Sequence, residues 1–541
     1  MKSMISEVLK KKKTNCKKRI IDMSRNYKTL DKYYKMLSDE GLLVNYSSES
    51  NVLIKGLSYN SKHVTEGTLF VCKGLNFKEA YLMEALKKGA VAYVCEEGSL
   101  LSKGEPVNFD GKAVPRLVIN DMRTAMTKLG SLFYDNVWND KLTLIGITGT
   151  KGKSTTATFV KAIMDDYYLE KGEPDIGFLS GIYNYDGSER KSSEKMTTLE
   201  TLELHDHLAR TVDNGLKCLV METSSQAIKY KRTEALHYKV CAFLNISEDH
   251  ISDREHPTFE DYFETKLKIF RQSDLACINY EVPEEYFGRM KEEAEKNCSH
   301  VVTFGQIEGA DYYGYDVVST PNELSFKLSC EGRTEDIKVS IGGYYNASNA
   351  LAAIAITRSL GVSFENIKRG LSHVKVAGRM EVYHMLNKDV DVIVDYAHNR
   401  VSYETLFENI GKLYPGRKRL LVFGVHGNKA YNRRQDLGEM AQKYADKVVL
   451  TEQDIGTDDL HQIWKDIRDF LHDEKIDSEI ENRREAILHA CEIVPDGWVM
   501  AICGNGADRF QKRGLICEPE PTDGEIVESY IIAHANESQE K

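Results

Sequence analysis

Gly146-Ile147-Thr148-Gly149-Thr150-Lys151-Gly152-Lys153-Ser154 is the stretch that decides the fold. It follows an apolar run over residues 142–145 and precedes a segment typical of a helix, from Thr155 to about Asp166. A strand, a glycine-rich turn and a helix are the setting of a phosphate-binding loop, because backbone N–H groups and the helix N-terminus both favour an anion. Lys153 can reach terminal phosphates, and Ser154 offers a hydroxyl to Mg²⁺. The stretch therefore predicts a nucleotide-binding loop.

A chance glycine-rich turn is the alternative interpretation of this stretch. The strict pattern has a glycine five residues before Gly152, and this chain has Ile147 there. The complete strand–turn–helix setting favours the phosphate loop.

The composition is that of an ordinary globular protein. With about 150 residues per domain, 541 residues predict three domains. Lys+Arg number 72 against 83 Asp+Glu, a net charge of −11, so we expect no general affinity for nucleic acid. No stretch reaches the roughly 18 apolar residues of a membrane span, and we therefore expect no integral membrane segment.

The cysteines and the N-terminus bear on the cellular compartment. The 11 cysteines are scattered without a CxxC pair, which favours reduced thiols in a cytoplasmic protein over a zinc site or a disulfide framework. The basic run Lys10–Lys13 is not followed by an apolar segment, so we expect no signal peptide. Its lysines are interpreted as a solvated face, with contact to an anionic membrane surface as the alternative.

Alternating strand and helix patterns predict an α/β protein of three domains. A central parallel-sheet domain with the phosphate loop is flanked by a small N-terminal α/β domain and a C-terminal doubly wound α/β domain. We expect a basic extension over 1–35, then domains over 36–138, 139–376 and 377–541. In such sheets ligands bind at the carboxyl ends of the strands.

Carboxylate and imidazole groups near the loop are candidate metal ligands. Glu222 ends the buried run Leu219–Met221, where a nucleotide-bound Mg²⁺ needs an oxygen ligand. His250 closes a turn after a strand and is a second candidate, with a hydrogen-bonded turn histidine as the alternative. His205 and His207 are two residues apart in a helical segment, so they face apart and do not predict a metal pair.

Seven motifs resemble those of the Mur ligases in order and spacing, and they cover most of residues 57–511. The motifs are Thr148-Gly149-Thr150-Lys151-Gly152-Lys153-Ser154, Met221-Glu222-Thr223-Ser224-Ser225, Asn245-Ile246-Ser247-Glu248-Asp249-His250, Asp261-Tyr262-Phe263-Glu264-Thr265-Lys266, Asn346-Ala347-Ser348-Asn349-Ala350, Gly378-Arg379-Met380-Glu381 and Asp395-Tyr396-Ala397-His398. These enzymes join amino acids to the UDP-N-acetylmuramoyl peptide precursor of peptidoglycan. The likeness is greatest to the members that add the third amino acid.

The resemblance implies roles in binding ATP and Mg²⁺. The residues expected to bind ATP are Gly149, Thr150, Lys151, Gly152, Lys153, Ser154 and Thr155, with Asn349, Arg379 and Asp395 on the adenosine side. The expected Mg²⁺ ligands are Ser154, Glu222, His250 and Lys266, and the expected catalytic residues are Lys153, Lys266, Glu222 and His250. Lys266 matches the lysine that the family carbamylates. Taken alone, a helix lysine is more often a surface residue.

The resemblance also implies two substrates besides ATP, a UDP-N-acetylmuramoyl-dipeptide and a free amino acid. Residues matching contacts to the dipeptide substrate are Thr197, Thr198, Ser224 and Arg232, with Ser61 in the segment expected to hold uridine. Positions matching the amino-acid pocket are Lys429, Asp454, Gly456, Gly504 and Asp508, flanked by Asp458 and Asp459.

The departures from the family pattern concentrate in the third domain. Members that add diaminopimelate carry Asp-Asn-Pro-Arg where this chain has Gln453-Asp454-Ile455-Gly456, and Gly-Lys-Gly-His-Glu where it has Gly504-Asn505-Gly506-Ala507-Asp508. Gln226 and Lys151 replace the usual histidine and asparagine. Without that arginine, and with acidic residues nearby, the pocket favours lysine or a similar diamino acid over diaminopimelate.

The resemblance implies an ATP-dependent, ADP-forming ligase that adds the third amino acid to UDP-N-acetylmuramoyl-L-alanyl-D-glutamate through an acyl phosphate, in the cytoplasm and as a monomer. Three alternatives stay open. One is a Mur-like ligase for a polyglutamyl or cyanophycin-type substrate. The others are a phosphate-loop switch or motor ATPase and a catalytically silent nucleotide-binding paralogue.

Overall fold

The computed structural model describes residues 27–47, 51–74, 77–192, 196–248, 251–252, 255–428 and 431–535. Most of the expected basic extension, and also His250 and Lys429, lie outside the described residues. The chain divides into two compact units, one up to Asp135 and one from Asn136 onward. No helix within the described ranges is long and apolar enough to cross a bilayer.

The first unit is a small α/β structure. Its strands are β1 Lys28–Thr29, β2 Leu43–Tyr46, β3 Leu53–Ile54, β4 Gly56–Ser58, β5 Thr68–Val71, β6 Ala90–Glu96, β7 Asn108–Phe109, β8 Lys112–Ala113 and β9 Arg116–Ile119. Its helices are α1 Leu30–Asp39, α2 Glu79–Lys87 and α3 Met122–Tyr134. The main sheet has the order β2-β9-β6-β5-β4, parallel except for the β2–β9 pair.

Local sequence explains the elements of this unit. All four residues of β5 are buried, as expected of a continuous apolar strand in a parallel sheet. Asp121 ends the loop before α3 and accepts hydrogen bonds from Arg123 N and Thr124 N, which fixes the helix start. The expected border between residues 35 and 36 falls inside α1, whose buried Tyr33 packs within this unit.

The second unit begins with an 11-stranded sheet. Its strands are β10 Thr143–Thr148, β11 Gly177–Leu179, β12 Tyr183–Tyr185, β13 Lys191–Ser192, β14 Cys218–Glu222, β15 Tyr238–Phe243, β16 Ser273–Asn279, β17 His300–Gly305, β18 Tyr312–Ser319, β19 Leu324–Cys330 and β20 Arg333–Val339. The order is β13-β12-β11-β14-β10-β15-β16-β17-β18-β19-β20. The middle of the sheet, from β11 to β18, is parallel, and both wings are antiparallel.

The helices of this part follow the strands in alternation. They are α4 Lys153–Glu170, α5 Thr201–Asp213, α6 Ser225–Lys229, α7 Phe259–Leu267, α8 Glu284–Asn297, α9 Asn346–Ser359 and α10 Phe364–Leu371. The predicted helix after the glycine-rich turn is α4, and the loop lies between the central strand β10 and this helix. The predicted strand–turn–helix setting is thus present.

A six-stranded sheet follows. Its strands are β21 Glu381–His384, β22 Asp391–Asp395, β23 Arg419–Phe423, β24 Lys447–Leu450, β25 Ile476–Glu479 and β26 Val499–Cys503, in the order β21-β22-β26-β23-β24-β25. A hairpin, β27 Phe510–Arg513 and β28 Ile516–Pro519, comes after it. The helices are α11 Arg400–Leu413, α12 Asn432–Tyr444, α13 Leu460–Arg468, α14 Arg483–Ile493 and α15 Asp523–His534. Only β21 is antiparallel to its neighbour in this sheet.

The apolar core lies on both faces of the six-stranded sheet. Buried residues of α11, α12 and α13 pack on one face, and those of α14 and α15 pack on the other. The last strand, β26, lies between β22 and β23. The connection from β22 to β23 and the connection that leads into β26 therefore lie on opposite faces of the sheet. In open α/β sheets this arrangement forms a ligand-binding crevice at the carboxyl ends of the strands.

Candidate active site

The loop between β10 and α4 turns at two glycines with positive φ, Gly149 at +148° and Gly152 at +83°. A Cβ atom at Gly149 would lie 2.9 Å from Leu244 Cβ, and one at Gly152 would lie 2.3 Å from Asn349 Oδ1. Neither position admits a larger side chain without displacement of its neighbours. The glycines therefore leave bare backbone in the loop, as close approach to an anion requires.

Asn245, just after β15, holds the loop in place. It accepts hydrogen bonds from Thr150 N at its carbonyl (3.0 Å) and from Lys151 N at its side-chain oxygen (2.8 Å). Its side-chain Nδ2 donates to Lys151 O at 3.1 Å. The Thr150 hydroxyl lies 3.1 Å from the Tyr262 hydroxyl of α7. These contacts join the loop to two of the matched motifs.

Lys153 is the first residue of α4, and its ammonium lies over the loop. Its Nζ donates to Gly149 O at 2.9 Å and to Thr150 O at 3.1 Å. The first hydrogen bond within the helix runs from Thr156 N to Gly152 O. The N–H groups of residues 153–155 therefore have no acceptor inside the helix, and they add to a site for phosphate.

Glu222 lies beside the loop because β10 and β14 are adjacent parallel strands in which Ile147 pairs with Glu222. The Glu222 side chain is 1% exposed, and its Oε1 accepts a hydrogen bond from Gly181 N at 2.9 Å. A carboxylate thus ends its strand at the same edge as the loop, where the sequence predicted it.

The residues expected to bind the dipeptide form one cluster at the end of β14. The Thr198 hydroxyl donates to Glu222 O at 2.9 Å and accepts from Ser224 N at 3.0 Å. Arg232 is 7% exposed, and its guanidinium donates to Thr198 O at 3.2 Å. Thr197 precedes this cluster on the same loop. The structure therefore brings Thr198, Ser224 and Arg232 together with the candidate metal carboxylate, and Thr197 is the chain neighbour of Thr198.

Lys266 is buried in α7, with 1% of its surface exposed. Its Nζ donates to Gly149 O at 3.0 Å and lies 4.7 Å from the centre of the Tyr262 ring. Burial excludes the surface-lysine interpretation. The ammonium instead contacts the backbone of the phosphate loop.

His256 lies in the same region and was not predicted. Its ring is fully buried, Nδ1 lies 2.6 Å from Asp261 Oδ2, and the ring centre is 5.2 Å from that of Tyr262. Burial lowers the pKa of His256, and Asp261 opposes this shift. The pairing depends on tertiary structure. The only sequence signal was an aspartate five residues after the histidine.

His205 and His207 face apart, as predicted. His205 is fully buried against Trp138, with ring centres 4.8 Å apart, and burial lowers its pKa to about 3. His207 lies on the other side of α5, where its Nδ1 is 2.7 Å from Asp186 Oδ2. No group of three or more His, Cys, Asp or Glu side chains among the described residues could hold a metal ion on its own.

Asn349 of α9, one of the residues expected on the adenosine side, lies against the start of α4 and Gly152 of the phosphate loop. Its Oδ1 lies 3.3 Å from the Thr156 hydroxyl, close to Gly152, and its Nδ2 donates to Asn346 Oδ1 at 3.0 Å. The side chain therefore helps to close the helix side of the loop.

Arg379 and Asp395 lie together at the start of the six-stranded sheet. The Arg379 guanidinium is 4.3 Å from the centre of the Tyr396 ring, and the Asp395 carboxylate accepts hydrogen bonds from Met380 N and Ala397 N at 2.9 and 2.8 Å. Burial raises the pKa of Asp395, and the Arg379 charge opposes this. Burial also raises the pKa of Tyr345, just before α9, and the negative charge of Asp395 adds to this shift.

His398 lies just after Tyr396, near His426. Burial, with the positive charges of Lys151 and Arg433 nearby, holds the pKa of His398 well below its usual range. Its ring centre is 6.3 Å from that of His426, which follows β23. His426 was not predicted as a site residue, because no motif in the sequence marks it.

The amino-acid positions lie at the carboxyl ends of β24 and β26. Asp454 Oδ2 is 3.9 Å from His426 Nε2. Burial, followed by the Asp508 carboxylate, raises the pKa of Tyr396, and Asp454 adds to this. Asp454, Asp508, His426 and Tyr396 therefore share one region at the crevice. Lys429 lies outside the described residues.

Two glycines shape the floor of this crevice. A Cβ at Gly456 would lie 2.1 Å from Asn428 Oδ1, and one at Gly504 would lie 2.7 Å from the Gln453 amide. The Gln453 side chain is 1% exposed. A long side chain at position 456 would require this loop to change its conformation. The backbone here therefore accommodates the glycine of this chain and not the arginine of the diaminopimelate motif.

The two neighbouring aspartates, expected to flank the pocket, have hydrogen-bond partners of their own. Asp458 pairs with Arg434 at 2.5 Å and accepts a hydrogen bond from Asn428 N at 2.9 Å. Asp459 caps α13 by accepting from Gln462 N at 2.8 Å. Both carboxylates are engaged in holding the loop and the helix.

Ser61 belongs to the first unit, where it begins a short 3₁₀ turn, Ser61–His63. Its hydroxyl donates to Glu84 Oε2 at 2.8 Å, and its carbonyl accepts from Lys88 Nζ at 3.0 Å. The serine is buried and well held within its own unit.

Residues 147–357 match the Mur ligase middle domain, and residues 378–506 match the Mur ligase, glutamate ligase domain. The chain is 35% identical over 485 residues to the UDP-N-acetylmuramoyl-L-alanyl-D-glutamate--L-lysine ligase of Enterococcus faecalis, covering 88% of this chain and 92% of that protein. It is 34% identical over 522 residues to the UDP-N-acetylmuramyl-tripeptide synthetase of Limosilactobacillus reuteri, covering 92% and 97%.

Solved structures show the same fold at lower identity. A UDP-N-acetylmuramoyl-L-alanyl-D-glutamate--2,6-diaminopimelate ligase matches with a TM-score of 0.59 at 22% identity, covering 91% of this chain and 97% of that chain. MurF from Acinetobacter baumannii matches with a TM-score of 0.61 at 18% identity, covering 94% and 99%. The architecture is the three-domain α/β fold predicted from the sequence. The chain belongs to the Mur ligase family of ATP-dependent ligases.

Proposed function

We propose that the protein adds a third amino acid to UDP-N-acetylmuramoyl-L-alanyl-D-glutamate, with cleavage of ATP to ADP and phosphate. The supporting observation is at the carboxyl end of β14. There Glu222 lies beside the phosphate loop, and its backbone carbonyl accepts a hydrogen bond from Thr198 of the Thr198–Ser224–Arg232 cluster. This arrangement suits a carboxylate substrate held next to the terminal phosphates of ATP. The names of the two relatives point to the same substrate.

The described residues fit a bound Mg²⁺–ATP. The bare backbone at Gly149 and Gly152 and the Lys153 ammonium would hold the phosphates. Ser154, Glu222 and a carbamylated Lys266 would supply oxygen ligands of the kind Mg²⁺ prefers, and His250, outside the described residues, is proposed as a further ligand. When bound, the metal neutralises charge on the phosphoryl oxygens. A carbamate on Lys266 would replace an ammonium with an anion beside the loop.

The reaction needs activation because a carboxylate is a poor electrophile. In the proposed path a carboxylate oxygen of the substrate attacks the γ-phosphorus, and the bond to the β–γ bridging oxygen breaks, releasing ADP. Lys153 stabilises the charge on the transferring group, and Arg232 and Thr198 orient the acceptor. The amine of the incoming amino acid, after loss of a proton, attacks the acyl carbon of the acyl phosphate, and phosphate leaves as the amide forms.

The incoming amino acid is proposed to be lysine or a similar diamino acid. Asp454 and Asp508 place negative charge at the crevice, and Gly456 leaves no room for the arginine that would bind a distal carboxylate. An ammonium would gain charge-assisted hydrogen bonds there, whereas the second carboxylate of diaminopimelate would meet like charge. Asp458 and Asp459 already have partners within the protein, so Asp454 and Asp508 are the two carboxylates proposed to bind the ammonium.

Phosphate release tests the proposal. The purified protein would be given Mg²⁺–ATP, UDP-N-acetylmuramoyl-L-alanyl-D-glutamate and each member of an amino-acid panel, and the products would be identified by mass. We expect release that depends on both the dipeptide substrate and a diamino acid. Release with a polyglutamyl acceptor in place of the muramoyl substrate would support the rival ligase, and no release with any acceptor would support the silent paralogue.

A further inference from the structure

The β27–β28 hairpin lies against the loop that carries the amino-acid positions. Gly456 N donates to Lys512 O at 3.0 Å, and Gly514 N donates back to Gly456 O at 2.6 Å. Gly456 and Arg513 form a parallel bridge. The hairpin begins after residue 506, where the match to the Mur ligase C-terminal domain ends. A segment outside the family match therefore contacts the candidate pocket directly.

Asp454 makes two hydrogen bonds to this hairpin. Its N–H donates to the side-chain Oε1 of Gln511 at 2.8 Å, and its carboxylate Oδ1 accepts from Lys512 N at 2.7 Å. The second oxygen, Oδ2, lies on the side of His426, at 3.9 Å. One oxygen is thus used to fix the side chain, and the other lies toward His426.

The backbone of Asp454 is in the left-handed region, with φ at +45°. Aspartate adopts this region more readily than most residues, but it still needs support from its surroundings. Such conformations persist where neighbouring structure over-determines them, and they cluster at ligand-binding positions. The two hydrogen bonds from the hairpin supply that support.

Gln511 is unusual within the hairpin because it is 1% exposed, whereas its strand neighbours Phe510, Lys512 and Arg513 are half-buried. Its amide is therefore committed to the loop and not to solvent. Arg513, on the same strand, pairs with Glu452 at 2.9 Å, at the start of the loop. The strand thus holds both the loop start and its central aspartate.

We propose that β27 positions the amino-acid pocket and that Gln511 is its main positioning residue, holding Asp454 with one carboxylate oxygen toward the terminal ammonium of a diamino acid. This inference rests on the proposed function. Gln511 acts through Asp454 and does not itself contact the substrate. A misplacement of the recognising group by about 1 Å can cost 10²-fold in rate, so the effect should be measurable.

The test compares Gln511→Leu, which removes the acceptor, with Gln511→Glu, which keeps an oxygen there. Leu515→Ser at the hairpin tip is the control, because Leu515 is 89% exposed. KM for the preferred diamino acid and KM for ATP would be measured for each variant. We expect Gln511→Leu to raise the amino-acid KM about 10- to 100-fold with the ATP KM within about twofold. Gln511→Glu should recover most of the loss.

Three results would overturn the inference. One is an unchanged amino-acid KM in a folded Gln511→Leu protein, and another is an equal rise of both KM values, which would indicate a general structural role. If Gln511→Leu does not fold, Arg513→Gln replaces it with the same expectation, and an unchanged amino-acid KM there overturns the inference. Wild-type protein inactive with every amino acid would instead defeat the proposed function, and this inference with it.

Discussion

The nucleotide side and the amino-acid side of the candidate site are built differently. On the nucleotide side, the phosphate loop is held by hydrogen bonds to Asn245 and Lys266, which belong to other matched motifs. The amino-acid side, at the ends of β23, β24 and β26, is held by Gln511 and Arg513, which lie outside those motifs. The sequence matches the family motifs where the motif residues hydrogen-bond to one another. It departs from them at the amino-acid side, where a segment outside the motifs holds the loop.

This difference teaches where substrate choice can change. Replacing a phosphate-loop residue would disturb Asn245, Tyr262 and Lys266 together, because each contacts the loop. At the amino-acid side the loop can change its side chains while the hairpin keeps its backbone in place. The following predictions would break or sharpen this contrast.

The largest effect is expected on the nucleotide side, at Lys153. Lys153→Ala should lower kcat by about 10²- to 10³-fold or more, because no other ammonium contacts both Gly149 O and Thr150 O among the described residues. ATP-dependent phosphate release measures it. The exposed Lys171 at the end of the same helix provides the control variant Lys171→Ala. Near-normal turnover of Lys153→Ala would remove the basis of the proposed mechanism.

The next effect concerns Lys266. If it is carbamylated, Lys266→Ala should lose about 10²-fold in kcat, and added short carboxylic acids should restore part of the activity by supplying oxygen ligands. The exposed Lys268 gives the matched control Lys268→Ala. Carbon-13 NMR of protein equilibrated with labelled bicarbonate gives a second readout, a carbamate signal absent from Lys266→Ala. The same signal in both proteins would assign the carbamate to another site.

A smaller effect is expected on the amino-acid side. Asp454→Asn should lower kcat/KM for lysine about 10-fold or more, since a hydrogen bond to a charged group contributes about 1.5–3 kcal/mol. The ATP KM should stay the same, and kcat/KM for diaminopimelate should be unchanged or higher. Steady-state kinetics with both amino acids decide this. A wild-type preference for diaminopimelate would show that the electrostatic interpretation of the crevice is wrong.

The smallest effect concerns the scaffold, and it separates loss of activity from loss of fold. The pKa of His205 is lowered to about 3 by burial, so unfolding takes up a proton there below pH 6.5. Stability should therefore fall as pH drops from 6.5 toward 3, by about 2 kcal/mol at pH 5 for this group. Urea unfolding of wild type and His205→Gln at pH 7 and pH 5 measures it. An equal pH dependence in both proteins would contradict the assignment.

The sequence predicted the parallel strands, their helices and the phosphate loop, because periodicity and turn chemistry are local. It also placed Glu222 at its strand end, since the strand is a continuous buried run. The antiparallel wings around β12 and β19 were not predicted, because their pairing depends on partners distant in the chain. Sequence periodicity indicates where strands lie but not which strands pair.

At the site, residue identity was easier to predict than environment. Thr198, Ser224 and Arg232 do meet, yet nothing in the sequence marked Lys266 as buried without the family motif. His426 and Gln511 were missed because their roles depend on where Asp454 is held. Asp459 could have been recognised as a helix cap from its position before α13.

The place of β26 has a consequence for the order in which the protein is made. This strand inserts between β22 and β23, although about 75 residues separate β23 from it in the chain. During synthesis β22 and β23 therefore have no shared neighbour until residue 503 is available, and the amino-acid crevice cannot assemble before then. The phosphate loop and α4 precede it by more than 300 residues. We expect nascent chains arrested before β26 to bind ATP analogues but no amino acid, which ribosome-bound binding assays would test.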